Sequence, residues 1–284
     1  MFLIVGANSE IGSATARLIR ARDGKVMTTT RRRSEARANS VHLDFEYPIE
    51  RFTIPEGITA ACIFAAVARL AACAADPVGS ARVNVERTLA LVDRLTARDV
   101  YTLFLSTNQV FNGNEPHMPA DAPTSPVSEY GRQKEETERA LRARMAKGAP
   151  IGVLRLAKVV SPGMALVDAW RRELTAGRSI RAFYDMTIAP VPVDIAAASI
   201  ACLIEDRLRI VAQLTGPRDL TYVDMGRFVA ETIGADPGLV DPVSALDSGL
   251  PPGSTPRNTT LDSSYLAGRY SLTVPDAFDI VGKL

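Results

Sequence analysis

The sequence predicts an α/β protein built on a doubly wound parallel sheet, with a smaller C-terminal lobe against the sheet's carboxyl edge. Three observations carry this expectation. Short apolar runs alternate with amphipathic stretches as far as Leu156. Ala60 to Ala66 is apolar at every position, as suits a strand covered on both faces. Beyond Pro162 the alternation loosens and prolines and glycines cluster. Strand and helix in this rhythm imply right-handed crossovers and a parallel sheet. The alternative, a closed barrel, needs eight such units, and only about six strands precede the change, which favours the open doubly wound sheet.

Phe2 to Val5 reads as the first strand. Ile11 to Arg22 follows as a helix, with Ile11, Thr15, Leu18 and Ile19 on one stripe. Lys25 to Thr30 and Val41 to Leu43 read as further strands, then Ala60 to Ala66. Val83 to Leu95 is a helix with Val85, Leu89, Val92 and Leu95 on one side. Val100 to Leu105, a charged helix from Ser128 to Met145, and a strand from Ile151 to Leu156 complete the regular part. Leu166 to Ala176, Asp194 to Glu205 and Tyr222 to Ile233 read as helices of the second part, with Asp194 as an N-cap. Ala235 to Asn258 reads as loop with short structure. The division falls near residue 160: a nucleotide-binding domain over 1–160 and a substrate lobe over 161–284, with the chain free to cross between them.

The 284 residues carry 33 Lys and Arg against 32 Asp and Glu, and 46% are hydrophobic. A packed core is expected and global disorder is not. Near-neutrality argues against a nucleic-acid partner, and no basic amphipathic helix points to a membrane surface. Ile58 to Ala68 is too short to span a bilayer. Cys62, Cys73 and Cys202 are scattered, without metal-ligand spacing, so no metal is expected. A cytoplasmic protein is the expectation, acting on a small molecule.

Gly6-Ala7-Asn8-Ser9-Glu10-Ile11-Gly12 joins the first strand to the first helix. Glycine there permits a sharp turn, and the helix behind it aims free N–H groups and a positive dipole end at an anion. In that setting Gly6, Asn8, Ser9, Glu10, Ile11 and Gly12 are candidates for a dinucleotide site on a Rossmann-type sheet. Ser9 stands where related loops often carry a third glycine; it restricts close backbone approach, while its hydroxyl offers the phosphate a donor. After the second strand come Thr30-Arg31-Arg32-Arg33, with no carboxylate before Glu35. An acidic residue here binds a ribose 2′-OH, and a basic one accommodates a 2′-phosphate. The expected cofactor is therefore NADP(H), with Thr30, Arg31 and Arg32 around the phosphate and NAD(H) as the alternative. Asp44 is a candidate partner for the adenine amino group.

Tyr130-Gly131-Arg132-Gln133-Lys134 puts a phenol and an ammonium four residues apart, on one face of a helix. An adjacent cation favours the phenolate, so Lys134 is expected to lower the Tyr130 pKa and ready it for proton exchange. Upstream, Leu103 to Phe111 describes a buried strand ending in Ser106 and Thr107, at the edge where open α/β sheets bind ligands.

Taken in order, these motifs resemble the extended short-chain dehydrogenases/reductases, in the dTDP-4-dehydrorhamnose reductase branch. The likeness runs through the glycine loop, Phe64-Ala65-Ala66, Asn84-Val85 and Ser106-Thr107-Asn108-Gln109-Val110-Phe111, which is similar to the branch's Ser-Thr-Asp-Tyr-Val-Phe. It continues through Tyr130-x3-Lys134, Asp185 to Pro190, Asp194-Ile195-Ala196 and Pro256 to Asp262. The resemblance implies Tyr130 as the acid that protonates a substrate carbonyl oxygen while nicotinamide delivers hydride. It implies Lys134 as holder of the nicotinamide ribose and Thr107 as a hydrogen-bond donor to the same oxygen. It places Ala65 and Ala66 beside the cofactor, and Asn108, Val110 and Arg257 beside the substrate, Arg257 as a diphosphate clamp. Family dehydratases follow the threonine with Asp-Glu; the amides Asn108 and Gln109 cannot trade a proton, which disfavours dehydration. The implied activity is NADP(H)-dependent reduction of a keto-sugar, nucleotide-linked and oxidised at position 4. The alternatives are an NAD(P)-dependent sugar epimerase, or a non-catalytic cofactor-binding regulatory protein of the same fold. A homodimer through the helices at Val83 to Leu95 and Ser128 to Met145 is also implied. His117 reads as a solvated loop residue.

Overall fold

A computed structural model describes residues 1–284. Six strands come from the first part: β1 (Phe2–Val5), β2 (Val26–Thr30), β3 (Ser40–His42), β4 (Ala60–Ile63), β5 (Tyr101–Thr107) and β6 (Ile151–Leu156). With a seventh, Val211–Leu214, they form one sheet in the order seventh–β6–β5–β4–β1–β2–β3. Every pairing in it is parallel. The order reverses between β1 and β4, and ligands bind at such switch points.

Period-two geometry sends successive side chains to opposite faces, and each face has its own core. Ile4, Cys62, Leu103 and Leu105 pack into one cluster with Ile19 and Ile200. Leu3, Val5, Ile63 and Phe104 pack into the other with Leu91, Leu95 and Leu141. All seven residues of β5 are buried, so the strand that ends at Thr107 is held on both sides.

The helix Glu10–Ala21 begins at Ser9, whose hydroxyl accepts from the Gly12 N–H at 3.1 Å. Glu129–Ala146 begins in the same way at Ser128, whose hydroxyl accepts from the Gly131 N–H at 3.0 Å. The helix expected over Val83 to Leu95 opens with a wider π-type turn, Arg82–Arg87, before Thr88–Thr96. Two carbonyls of that turn are taken by threonine hydroxyls: Thr137 donates to Asn84 at 3.0 Å and Thr88 to Val83 at 2.9 Å. Side-chain insertion of this kind is a recognised cause of widened turns.

The second lobe has its own core around Trp170, Leu174, Val223, Met225 and Ile280. The strands Ile180–Phe183 and Val240–Val243 pair in parallel within it, so a strand lies inside the stretch read as loop. The chain returns to the sheet from this lobe. Val193–Glu205 packs on Glu10–Ala21, Val211–Leu214 adds the seventh strand, and Ser264–Tyr270 lies against that strand. Asp194 is not the N-cap that the sequence suggested. Pro192 occupies that position, and the Asp194 carboxylate accepts from the Ile195 N–H inside the first turn. No helix is long and apolar enough to cross a membrane.

Candidate active site

The glycine loop lines a cavity of about 300 Å³ with Asn8, Ser9, Arg31, Asp44, Ala65 and Ala66 on its walls. Gly6 has φ +89°, and a Cβ there would lie 2.8 Å from the Ala65 nitrogen. The turn and the close approach of the β4 loop both require glycine. The Gly6 N–H is held by the Thr29 hydroxyl at 3.0 Å. The Ser9 hydroxyl is already engaged, donating to the Gly6 carbonyl at 2.9 Å while capping the helix. The expected donation to a phosphate is therefore replaced by an internal bond that shapes the loop. Glu10 does not line this cavity, and its carboxylate accepts from the Ser161 hydroxyl. Gly12 is buried in the first helical turn.

The basic segment after β2 divides. Arg31 reaches the cavity wall. Arg32 pairs with Glu35 at 2.8 Å, and the Thr30 hydroxyl donates to the same carboxylate at 3.0 Å. Neither Thr30 nor Arg32 lines the cavity, because Glu35 folds back over a short helical turn to hold both. That pairing keeps the Glu35 carboxyl below its ordinary range, through the hydrogen bond from Arg32 first and that from Thr30 second.

A second cavity, about 470 Å³, shares Ser9, Phe64 and Ala66 with the first and runs along the ends of β5 and β6. Ile11, Thr107, Asn108, Tyr130 and Lys134 all line it. Thr107 ends β5, and its hydroxyl accepts from the Gln109 N–H at 3.2 Å, leaving its own hydrogen near Asn108 Oδ1 at 3.4 Å. Tyr130 is brought to β5 by close packing of its helix: a Cβ on Gly131 would come 2.2 Å from the Gln109 carbonyl oxygen. Asn84, from the widened turn, clamps the β4 loop by accepting from the Val67 N–H at 2.8 Å and donating to the Val67 carbonyl at 3.0 Å. It also donates to Gln133 at 2.7 Å, tying that loop to the Tyr130 helix.

Lys134 is buried, and its Nζ donates to the Leu105 carbonyl at 2.7 Å. The ammonium lies 4.4 Å from the Phe104 ring centre and 5.7 Å from that of Tyr130. Burial lowers the Lys134 pKa to about 8, against the attraction of Glu138. Burial also pushes the Tyr130 phenol above its ordinary range, with Cys73 adding to the rise. The expected lowering of Tyr130 by Lys134 is thus corrected: the ammonium is turned to a backbone carbonyl, and desolvation of the phenol prevails. The phenol keeps its proton at neutral pH.

Two expected substrate contacts lie elsewhere. Val110 is fully buried with Phe111 and Leu261 and does not face the cavity, because the turn after Thr107 rotates it into the core. Arg257 is exposed and lines a neighbouring depression with Asn112, Asp185 and Thr187. His117 is an exposed loop residue with φ +51°. Conversely, Ser106, Lys158, Met186, Tyr222 and Thr259 line the second cavity. Ser106, Met186 and Thr259 had a signal in the sequence, as parts of the quoted motifs. Ser106 is 6% exposed and its hydroxyl has no hydrogen-bond partner.

The residues present fit a dinucleotide. Gly6 leaves a cradle that any Cβ would close, the Glu10–Ala21 N-terminus faces it, and Ser106, whose buried hydroxyl has no partner, lines the second cavity.

Comparison with known proteins agrees with this arrangement. Residues 1–277 match the family described as the RmlD substrate binding domain. A probable low-salt glycan biosynthesis reductase of Haloferax volcanii is 24% identical, covering 99% of this chain and 96% of that one. A hypothetical dTDP-4-dehydrorhamnose reductase from Sulfolobus tokodaii superposes with a TM-score of 0.80 at 20% identity, over 98% of each chain. UDP-glucose 4-epimerase from Thermotoga maritima, solved with UDP-glucose, gives 0.81 at 20% identity, over 100% of this chain and 96% of that one. On its matched residues and its fold, the chain belongs to the RmlD substrate binding domain family and is an NAD(P)-dependent oxidoreductase of the extended short-chain type.

Proposed function

We propose that the protein is an NADP(H)-dependent reductase of a nucleotide-linked 4-keto sugar, with Tyr130 as the general acid. The observation that carries this reading is the meeting of Thr107, Tyr130 and Lys134 on one cavity continuous with the glycine loop. Bound nicotinamide would supply the hydride. Tyr130, protonated through burial, donates its proton to the carbonyl oxygen as that oxygen becomes a hydroxyl. Thr107 stabilises the charge developing on the same oxygen. Lys134 presents a cation beside them and holds the ribose once it turns from Leu105. The amides Asn108 and Gln109 orient polar groups without exchanging protons, which favours reduction over dehydration.

Arg31 on the wall of the first cavity supports NADP(H), since no carboxylate from the end of β2 faces that wall. Three free thiols fit a reducing, cytoplasmic setting. The helices Thr88–Thr96 and Glu129–Ala146 are the proposed homodimer contact. The test is consumption of NADPH against a panel of 4-keto sugar nucleotides by the wild type and Tyr130→Phe. Turnover by the wild type alone is the expected result; no turnover with any member of the panel overturns the reading.

A further inference from the structure

We infer that Arg51, with Arg33 and Arg31, forms the place that takes the cofactor's 2′-phosphate, and that Arg32 has no part in it. The inference rests on the NADP(H) reading above and assigns its selectivity to particular side chains.

A cavity of about 490 Å³ opens beside the one at the glycine loop and shares Arg31, Leu43 and Asp44 with it. Arg31, Arg33 and Arg51 stand on its walls, with His42 and Tyr47. Three arginines and one carboxylate residue, Asp44, therefore line this cavity. A phosphate monoester carries about −1.5 to −2 at neutral pH, which matches that excess, whereas a bare ribose hydroxyl leaves the cations repelling one another.

The neighbouring guanidinium groups are already committed: Arg32 to Glu35, and Arg94 to the Ile49 carbonyl. Arg31, Arg33 and Arg51 form no ion pair within the chain and remain free to meet an anion. Arg51 is also well placed. It ends the short turn Ile49–Arg51, and its neighbours Ile49 and Phe52 are both buried. The Arg94 bond to Ile49 ties this turn to the helix Thr88–Thr96. Arginine matches phosphate through two parallel N–H donors, which a lysine does not.

The test is fluorescence titration of the full chain with NADPH and, separately, NADH, for the wild type, Arg33→Ala, Arg51→Ala and Arg32→Ala. All three side chains are exposed, and thermal unfolding checks that each variant is folded. The wild type should bind NADPH more tightly than NADH. Arg51→Ala and Arg33→Ala should each weaken NADPH by about tenfold or more and leave NADH unchanged. Arg32→Ala should retain the preference. A wild type that prefers NADPH, with that preference intact in Arg51→Ala, overturns this assignment and leaves the NADP(H) reading standing. A wild type with equal affinity for both cofactors overturns the reading itself.

Discussion

The Lys134 ammonium donates to the Leu105 carbonyl across 2.7 Å, joining the Glu129–Ala146 helix to β5 one residue before Ser106. Spacing in the helix suggested a lysine serving the tyrosine four residues before it. The structure shows a lysine whose charge is held by the sheet, beside a half-buried phenol whose desolvation raises its pKa. The phenol and the cation are thereby separate groups, and the roles proposed for them can be tested separately.

Tyr130→Phe removes the proposed proton donor and little volume. Turnover should fall by about 10²- to 10⁴-fold, while cofactor affinity measured by fluorescence stays near that of the wild type. Loss of both together would place Tyr130 in binding and not in proton transfer.

Lys134 titrates near 8 in the folded chain, below its ordinary 10.5. Its cation is present below that value and lost above it, so kcat/KM should decline as the pH rises through about 8. Lys134→Arg should move that break upward, because arginine stays charged. The sign for stability is opposite. The unfolded chain binds more protons between about 8 and 10.5, so this group's contribution to unfolding free energy should rise with pH across that window. Urea unfolding at several pH values, compared with Lys134→Met, isolates that contribution.

Ser106→Ala removes a buried hydroxyl that has no protein partner. Loss of such a group costs no internal hydrogen bond, so stability should stay level or rise by up to about 1 kcal/mol. Affinity for cofactor or substrate should fall if the hydroxyl meets a ligand in the cavity. Unchanged titrations with both would show that it serves water alone.

Gly131→Ala forces a methyl toward the Gln109 carbonyl, 2.2 Å from the ideal Cβ position. The helix must move off the end of β5, costing about 1 to 3 kcal/mol and carrying Tyr130 with it. Turnover should drop more than stability explains, as seen by comparing kcat with chemical denaturation midpoints.

Arg155 and Glu138 form a fully buried pair at 2.7 Å, and Arg155 also donates to the Ala120 carbonyl and Gln213. Glu138→Ala leaves the guanidinium uncompensated and should cost about 3 to 5 kcal/mol. The surface pair of exposed Arg139 and half-buried Glu135, 3.8 Å apart, should contribute below about 1 kcal/mol. Urea unfolding of Glu138→Ala and Arg139→Ala provides the contrast.

Much of the site was legible because its signals are local. Gly6, Thr107, Tyr130 and Lys134 sit at strand ends and on one helix face, where period and capping are written in neighbouring residues. Ser9 and Ser128 announce their helices in the same way. Val110 misled because a motif specifies residue types and not the rotation of a turn, and the turn after Thr107 carries Val110 inward. Thr30 and Arg32 misled because the sequence does not reveal that Glu35 turns back on them.

By itself the sequence determined the parallel sheet, its carboxyl edge, the glycine loop and the placing of Tyr130 and Lys134 on one helix face, since each follows from periodicity or from spacing within one element. Tertiary structure decided which way the charges act. Burial, which depends on what the two lobes and both sheet faces bring together, raised Tyr130 and lowered Lys134 where proximity alone predicted a depressed phenol. It also selected among the arginines. Arg31, Arg32 and Arg33 are equivalent in sequence, but Glu35 takes one, while Arg51 joins the other two from a turn beyond β3. Desolvation and long-range pairing are properties of the folded chain, and no local pattern encodes them.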